Sequence, residues 1–266
     1  MIYSDPKFFI GGDCFITIEL GDEGSLQMNL HVLTLEKIIW DSKMVGLIDT
    51  TALRTTIMIH YDPFMIQADK IIAHVRELTS EGVSVPEKIP SNIIHLPVYY
   101  DDPATRDCAA EYGVEPNIEI IARDNQTTPE AVIEIHSQPN YFVSYTSFMY
   151  GSFGSFPINP KTNLITSKYK IPRKWTPSGT LGMGGNTTAF YSVPSPGGIM
   201  MLGNIPVRTF DLEARNPFFK DDPLLIHPGE QLRFMPIQED EYDYLKNHQD
   251  DYQYQTEECF IDAANL

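Results

Sequence analysis

Apolar residues in the first part of the chain fall at two spacings, and the alternation of those spacings predicts its elements. From Leu26 to Trp40, the residues Leu26, Leu30, Leu33 and Ile38 stand at near-helical intervals with Val32 and Leu35 alongside, which predicts an amphipathic helix. Gln67 to Leu78 repeats the pattern, with Ile71, Ile72, Val75 and Leu78 on one face. Between the two, Val45 to Asp49 and Thr55 to Tyr61 are rich in β-branched residues, and Asp62-Pro63 stops the second strand. Ahead of them, Phe8 to Leu20 reads as a loop that turns at Gly11-Gly12-Asp13 into a strand. The order strand, helix, strand, strand, helix predicts a small α+β domain over residues 1–85, with its helices on one side of a sheet.

Residues 80–91 mix Gly, Pro, Ser and charge, as a boundary does, and a second domain is expected over residues 92–240. It opens with a strand, Ile93 to Tyr100. Two short helices follow, Asp107 to Tyr112 and Thr128 to His136, the second capped by Thr128 with Pro129 at its first position. The stretch from Val114 to Gln126 fits neither pattern. After Pro139 strands dominate: Tyr141 to Phe148, Gly198 to Leu202 and Glu230 to Pro236. Residues 157–203 carry Pro or Gly every few positions between β-branched and aromatic segments, which predicts short strands and tight turns. A β-barrel with helices against it results, so the fold class is α+β throughout. Residues 241–266 are acidic and rich in Tyr. They read as a solvated or loosely ordered tail, although Tyr242, Leu245, Tyr252, Tyr254, Phe260 and Ile261 give it apolar surface for a partner.

Charge narrows the partners. Thirty-six acidic residues oppose nineteen basic ones, a net charge of −17, and such a field repels nucleic acid and anionic membranes. No apolar run is long enough to span a bilayer, and the first residues lack the basic and apolar regions of a signal peptide, so a cytoplasmic protein is expected. Cys14, Cys108 and Cys259 lie far apart without a C-x-x-C pair, as suits reduced thiols, and the histidines show no ligand-like spacing; no metal is expected. Phosphate-loop, dinucleotide, zinc-protease and nucleophile-elbow motifs are absent, as is a Met-Lys-Met biotin carrier.

Against that acidic background Lys161, Lys168, Lys170, Arg173 and Lys174 form a dense basic cluster. On charge alone a solvated face is the commoner meaning; a local anion site is the other. Lys168 follows Ile165-Thr166-Ser167 and precedes Tyr169, on or beside a strand whose alternation would send its ammonium into a cleft and Tyr169 to the opposite face. Lys168 or Arg173 would then stabilise developing negative charge, with Thr166, Ser167 or Tyr169 donating hydrogen bonds. Gly184-Gly185 before Asn186 could let backbone amides approach an anion, though glycines in such runs more often serve a turn. His136 has an ordinary pKa of about 6.5, suited to proton transfer, but a helix-terminal histidine is more often a cap or packing residue.

Five segments in order resemble the carboxyltransferase C/D-subdomain family: Asn159-Pro160-Lys161, Leu164 to Tyr169, Pro172-Arg173-Lys174-Trp175-Thr176-Pro177, Gly182-Met183-Gly184-Gly185, and Ser195 to Gly198. That family includes part of urea carboxylase, allophanate hydrolase subunit 1, the corresponding subunit of 5-oxoprolinase and a sporulation-kinase inhibitor. The resemblance is nearest to the urea carboxylase branch. It implies a cyclophilin-like barrel and half of a heteromeric enzyme, either a biotin-dependent carboxyltransferase or an ATP-dependent amidohydrolase, acting on a small urea-like or lactam substrate. Activity would require a partner of the A/B-subdomain type. Biotin would ride on a separate carrier chain and ATP would enter through the partner. The site it implies comprises Lys168, Tyr169, Arg173 and His136 as catalytic residues, with Thr166, Ser167, Gly184, Gly185 and Asn186 binding substrate. Residues 147–156 and Asn186 to Tyr191 depart from the oxoprolinase-like pattern, which argues for a different pocket. A non-catalytic inhibitor or regulatory partner of a kinase is the reading from another class.

Overall fold

Ile16, Ile18 and Leu20 occupy alternate positions along one strand, and Ile57, Ile59 and Tyr61 do so along its neighbour; burying these two rows builds the first of two units. The computed structural model describes residues 1–265. Its units are Met1–Pro90 together with the chain from Phe260 onward, and Ser91–Cys259.

In the first unit, β1 (Ile2–Gly11), β2 (Phe15–Gly21), β3 (Leu47–Ala52) and β4 (Thr56–Tyr61) form an antiparallel sheet in the order β1-β2-β4-β3. Helices α1 (Leu26–Asp41) and α2 (Ala68–Leu78) share the sheet's apolar core. Ser25 starts α1, its hydroxyl accepting from the Met28 amide at 3.1 Å. The helix buries Met28, Leu30, Val32, Leu35 and Ile39: Leu30, Val32 and Leu35 were expected, while Met28 and Ile39 take the places expected of Leu26, Leu33 and Ile38. Apolar residues are dense enough here that the buried face is one or two positions off the expected one at its ends. Residues Phe8 and Phe9, expected in a loop, belong to β1; Asp5, Pro6 and Lys7 mask it because an edge strand tolerates charge and proline.

The second unit is a closed barrel. Strands β5 (Lys88–Tyr100), β6 (Tyr141–Tyr145), β7 (Gly154–Pro157), β8 (Thr180–Gly184), β9 (Thr187–Tyr191), β10 (Met200–Asn204) and β11 (Gln231–Pro236) run in the order β10-β8-β9-β7-β6-β11-β5. The ring closes where Gly203 and Asn204 of β10 pair with Tyr100 and Tyr99 of β5. Only β5 and β11 pair in parallel among the barrel's registered neighbours. Leu96, Val98, Val143, Leu181, Met183, Leu202, Leu232 and Phe234 fill the interior, each contributing on the order of 1.5–3 kcal/mol on burial. Helices α3 (Pro103–Glu111), α4 (Asn117–Asp124) and α5 (Pro129–Ser137) come between β5 and β6, and Ile118, Ile121, Ala122 and Val132 join the same core. Helix α4 occupies the stretch that fitted neither pattern. At eight residues, and with Pro116 in place of a side-chain cap, it shows too little periodicity to be read.

The last residues are not a loose tail. They form α6 (Glu239–Asn247) and β12 (Thr256–Asp262), the latter at the edge of the barrel sheet beside β5. Tyr242 is buried and donates its hydroxyl to Asn204 Oδ1 at 3.1 Å, while Tyr252 and Tyr254 pack on the barrel core. The Asn216 amide holds the carbonyls of Gln249 and Tyr252 at 2.8 and 2.9 Å. Acidic composition suggested solvation; the tyrosines, spaced among the charges, supply enough apolar area to order the segment.

Candidate functional site

Between β7 and β8 the chain has little regular structure, and residues 165–173 cross the end of β8 as a strap. Thr166 exchanges both backbone hydrogen bonds with Gly185, at 3.1 and 2.7 Å. Tyr169 N–H then reaches the Gly198 carbonyl at 2.7 Å, and Arg173 exchanges bonds with Gly197 at 2.8 and 3.1 Å. The strap therefore runs from the β8–β9 turn to the lead-in of β10. Gly185 makes that turn in the left-handed region, at φ +64°, where a side chain would strain the backbone.

Helix α4 holds the other side of the strap. Asn125, just past its end, pairs with Ile165 through both amide atoms, accepting at 2.9 Å and donating at 2.9 Å. Asp124 accepts from the Thr166 hydroxyl at 2.6 Å. At the start of the helix Asn117 hydrogen bonds with the Tyr169 hydroxyl at 2.8 Å and accepts from the Met201 amide at 2.9 Å. The lengths agree: seven helical steps from Asn117 to Asp124 cover about 10 Å, and three extended residues from Thr166 to Tyr169 also about 10 Å. The segment that sequence patterning left unassigned thus positions the segment it singled out.

The side chains of the strap divide into buried and open. Arg173 is 1% exposed; its Nε donates to Thr176 at 3.3 Å, Nη1 to the Ile199 carbonyl at 2.9 Å, and its guanidinium lies 4.3 Å from the Tyr169 ring centroid. Its Nη2 has no partner. Beside it the Cys108 thiol is pushed up by burial, against the lowering influence of Arg173. Tyr169 and Arg173 therefore pin the strap from beneath. Lys168 is exposed, and its stem lies over Gly184: a Cβ placed there would meet Lys168 Cε at 2.5 Å and Cγ at 2.8 Å. Only a glycine lets the lysine lie so close. Nothing lies within 4 Å of the corresponding position at Gly185, so the turn next to Gly184 is open. Ser167 is exposed beside it, and Asn186 is half-buried in the adjoining turn. Lys161, Lys168, Lys170 and Lys174 are exposed, and among the described residues none forms an ion pair.

His136 lies elsewhere. Strand alternation settles this: Met183 and Thr188 face each other across β8 and β9 and point into the core, whereas Gly184 and Thr187 point outward. His136 meets Thr188 Oγ1 at 3.0 Å and the Tyr100 hydroxyl at 2.8 Å, and it stacks on Phe234 with ring centroids 4.9 Å apart. It has no exposed surface, and burial pushes its imidazole down to about 3, so it is neutral. With both ring nitrogens engaged inside the barrel, His136 has the setting of a packing residue, and the geometry offers no route for the proton transfer the sequence suggested. Tyr169 and Arg173 likewise face inward. The expected residues that gather at the open rim are Ser167, Lys168, Gly185 and Asn186, whereas Thr166 is buried with its hydroxyl on Asp124 and Gly184 is buried beneath the Lys168 stem. Among the described residues no three His, Cys, Asp or Glu side chains gather as a metal site, and no helix is long and apolar enough to cross a membrane.

Residues 6–220 match the family described as carboxyltransferase domain, subdomain C and D. The chain belongs to that family. Within this carboxyltransferase family it is 25% identical over 273 residues to the urea amidolyase of Lachancea kluyveri, a match covering 96% of this chain and 15% of that protein. It is 26% identical over 247 residues to a 5-oxoprolinase subunit of Bacillus subtilis, covering 88% of this chain and 94% of that one. The crystal structure of the K. lactis urea amidolyase superposes with a TM-score of 0.91 at 22% identity, covering 100% of this chain and 17% of that one; identity so low speaks for the fold alone. The chain thus spans about a seventh of the urea amidolyase it matches and nearly the whole of the oxoprolinase subunit. In these relatives the carboxyltransferase C/D region is a domain or a subunit of an enzyme.

Proposed function

We propose that this chain is the C/D half of a heteromeric carboxyltransferase or amide-activating enzyme, acting on a small urea-like or lactam substrate and active only when an A/B-type partner completes the site. The observation that carries the reading is the presentation of Lys168: an unpaired ammonium, held over Gly184 on a strap fixed from both sides. Transfer of a carboxyl group to an amide nitrogen places negative charge on the oxygen of the leaving group and on the acceptor, and a fixed cation stabilises both. Lys168 takes that role, with Ser167 and the turn at Gly185 beside it as hydrogen-bond donors.

Exposure of Lys168 is part of the argument. At about 4 Å a unit charge pair gains only about 1 kcal/mol in water and several-fold more where water is excluded. On this chain alone the ammonium is open to water, so a second surface must cover it before it becomes effective. Partner dependence follows from that, and the relatives' division into subunits agrees with it. The open rim fits an anionic carboxyl group delivered from another chain, as biotin on a separate carrier would supply when bound. ATP is assigned to the partner, since this sequence has no phosphate-loop motif. Tyr169, Arg173 and Asn117 act as positioning residues that keep the strap in register.

The test is reconstitution. Co-purification with an A/B-type chain, followed by turnover assays with urea and with a lactam, is expected to show activity toward one class in the complex and none in either chain alone. An assembled complex that turns over neither class would overturn the reading.

A further inference from the structure

Beyond the strap, we propose that a cavity on the outer side of β11 binds a small organic carboxylate through Arg233. Leu232 and Phe234 are fully buried in the barrel, so the strand's period of two sends Gln231 and Arg233 to the opposite face. There Gln138, Asn140, Asn159, Thr162, Gln231 and Arg233 line a cavity of about 420 Å³, within the range of about 300–1,000 Å³ typical of small-molecule sites. In the ring of strands β11 stands across from β8, so this cavity is separate from the strap.

Its single cation is held ready without being neutralised. Arg233 Nε and Nη2 both donate to the side-chain oxygen of Asn140, at 2.8 and 2.6 Å, and the Asn140 amide in turn donates to Gln231 Oε1 at 3.3 Å. One edge of the guanidinium is thereby clamped in place. The end-on edge, made by Nη1 and the second proton of Nη2, has no acceptor among the described residues. Elsewhere Arg76, Arg106, Arg123, Arg208 and Arg215 each hold a carboxylate, as expected in a chain with thirty-six acidic residues. Arg233 holds only a neutral amide, and no carboxylate lines its cavity.

The free edge matches a carboxylate in size and in its two parallel donors. Nearby acids have other partners: Glu134 accepts from Gln138 at 3.3 Å, Glu230 from the His227 amide at 2.8 Å, and Glu257 sits 2.9 Å from His95 Nε2. Their field disfavours a dianion such as phosphate and admits a single negative charge. Asn159 accepts from the Lys161 amide through Oδ1, leaving its amide protons to bind a polar group on the ligand.

The experiment uses the whole chain and two probes of matched shape, N-acetylglycinate and the neutral N-acetylglycinamide, with binding followed by nuclear magnetic resonance. The carboxylate is expected to bind with a Kd of about 1 mM or tighter and the amide about tenfold more weakly. Arg233→Gln should reduce the carboxylate to the amide's level while the spectrum remains that of the folded chain. Thr162→Trp, which fills the cavity from the end of the short 3-10 turn Pro160–Thr162 without altering the guanidinium, should block both probes and serves if the first variant misfolds. Equal binding of the two probes, carboxylate binding that survives Arg233→Gln, or tighter binding of inorganic phosphate would overturn the proposal.

Discussion

His136 and Lys168 stand on opposite faces of the β8–β9 pair, and they differ in every physical respect that separates packing from chemistry. His136 is enclosed, neutral and hydrogen-bonded at both ring nitrogens. Lys168 is exposed, charged and unpaired, and its position is fixed by what lies beneath its stem. A saturated polar group inside a barrel stabilises one fold, because any substitution leaves its partners unsatisfied. An unsaturated group on a braced segment costs the fold little and is available to something outside it. A histidine is the more usual catalytic residue, yet in this molecule the comparison favours the lysine.

The comparison can be broken most forcefully at His136. His136→Ala removes a fully buried ring and strands the Tyr100 and Thr188 hydroxyls, so chemical denaturation should show a loss of about 3 kcal/mol or more; a loss below about 1 kcal/mol would mean the network is not structural. Gly184→Ala probes the other face. Its new methyl would occupy the place of the Lys168 stem, a flexible chain that yields, so stability should change by less than about 1 kcal/mol while turnover of the assembled complex falls about tenfold or more. Unchanged turnover would show that the lysine need not lie over Gly184.

Acidity sharpens the contrast further. The folded chain holds His136 at about 3, well below the ordinary value of about 6.5, so between these values the unfolded chain binds a proton that the folded chain refuses. Its contribution is therefore complete above about pH 6.5 and is lost as the pH falls toward 3, at no more than about 1.4 kcal/mol per pH unit. Stability measured against pH for the parent and for His136→Gln should show the parent falling more steeply on acidification; parallel curves would count against a buried neutral imidazole. The smallest effect is expected at Asn125→Ala, which frees Ile165 from α4 and should destabilise by about 1 kcal/mol, with faster amide exchange confined to the strap. Exchange that quickens evenly across the barrel would remove the idea of a separately braced segment.

Several of these features could be read in the sequence. The α+β unit and the barrel followed from spacing and turn residues, and the strap announced itself through proline, glycine and lysine in one segment. Lys168 stood out as a candidate through its place between Ile165-Thr166-Ser167 and Tyr169, since the cation cluster alone reads as a solvated face. That Tyr169 turns away from Lys168 followed from the expected alternation, but the burial of Arg173 did not, because the strap pairs only at isolated bridges and so lacks the sustained alternation a strand would impose. Nor did the bracing by Asn117, Asp124 and Asn125, which sits on a helix too short to show a period and acts on residues about forty to fifty positions away. Arg233 was hidden for a related reason: within β11 it occupies an ordinary outward position, and only the neighbouring Asn140 reveals that its charge is uncompensated.

The claim that Lys168 performs chemistry while the residues beneath it only position it is tested most directly by the turnover number of Lys168→Ala in the assembled complex. The account predicts a fall of about a hundredfold or more, with the melting transition of the chain unmoved, because the lysine contributes to the reaction and hardly to the fold. Turnover equal to that of the parent complex would contradict it, and the strap would then be a structural brace with no part in the reaction.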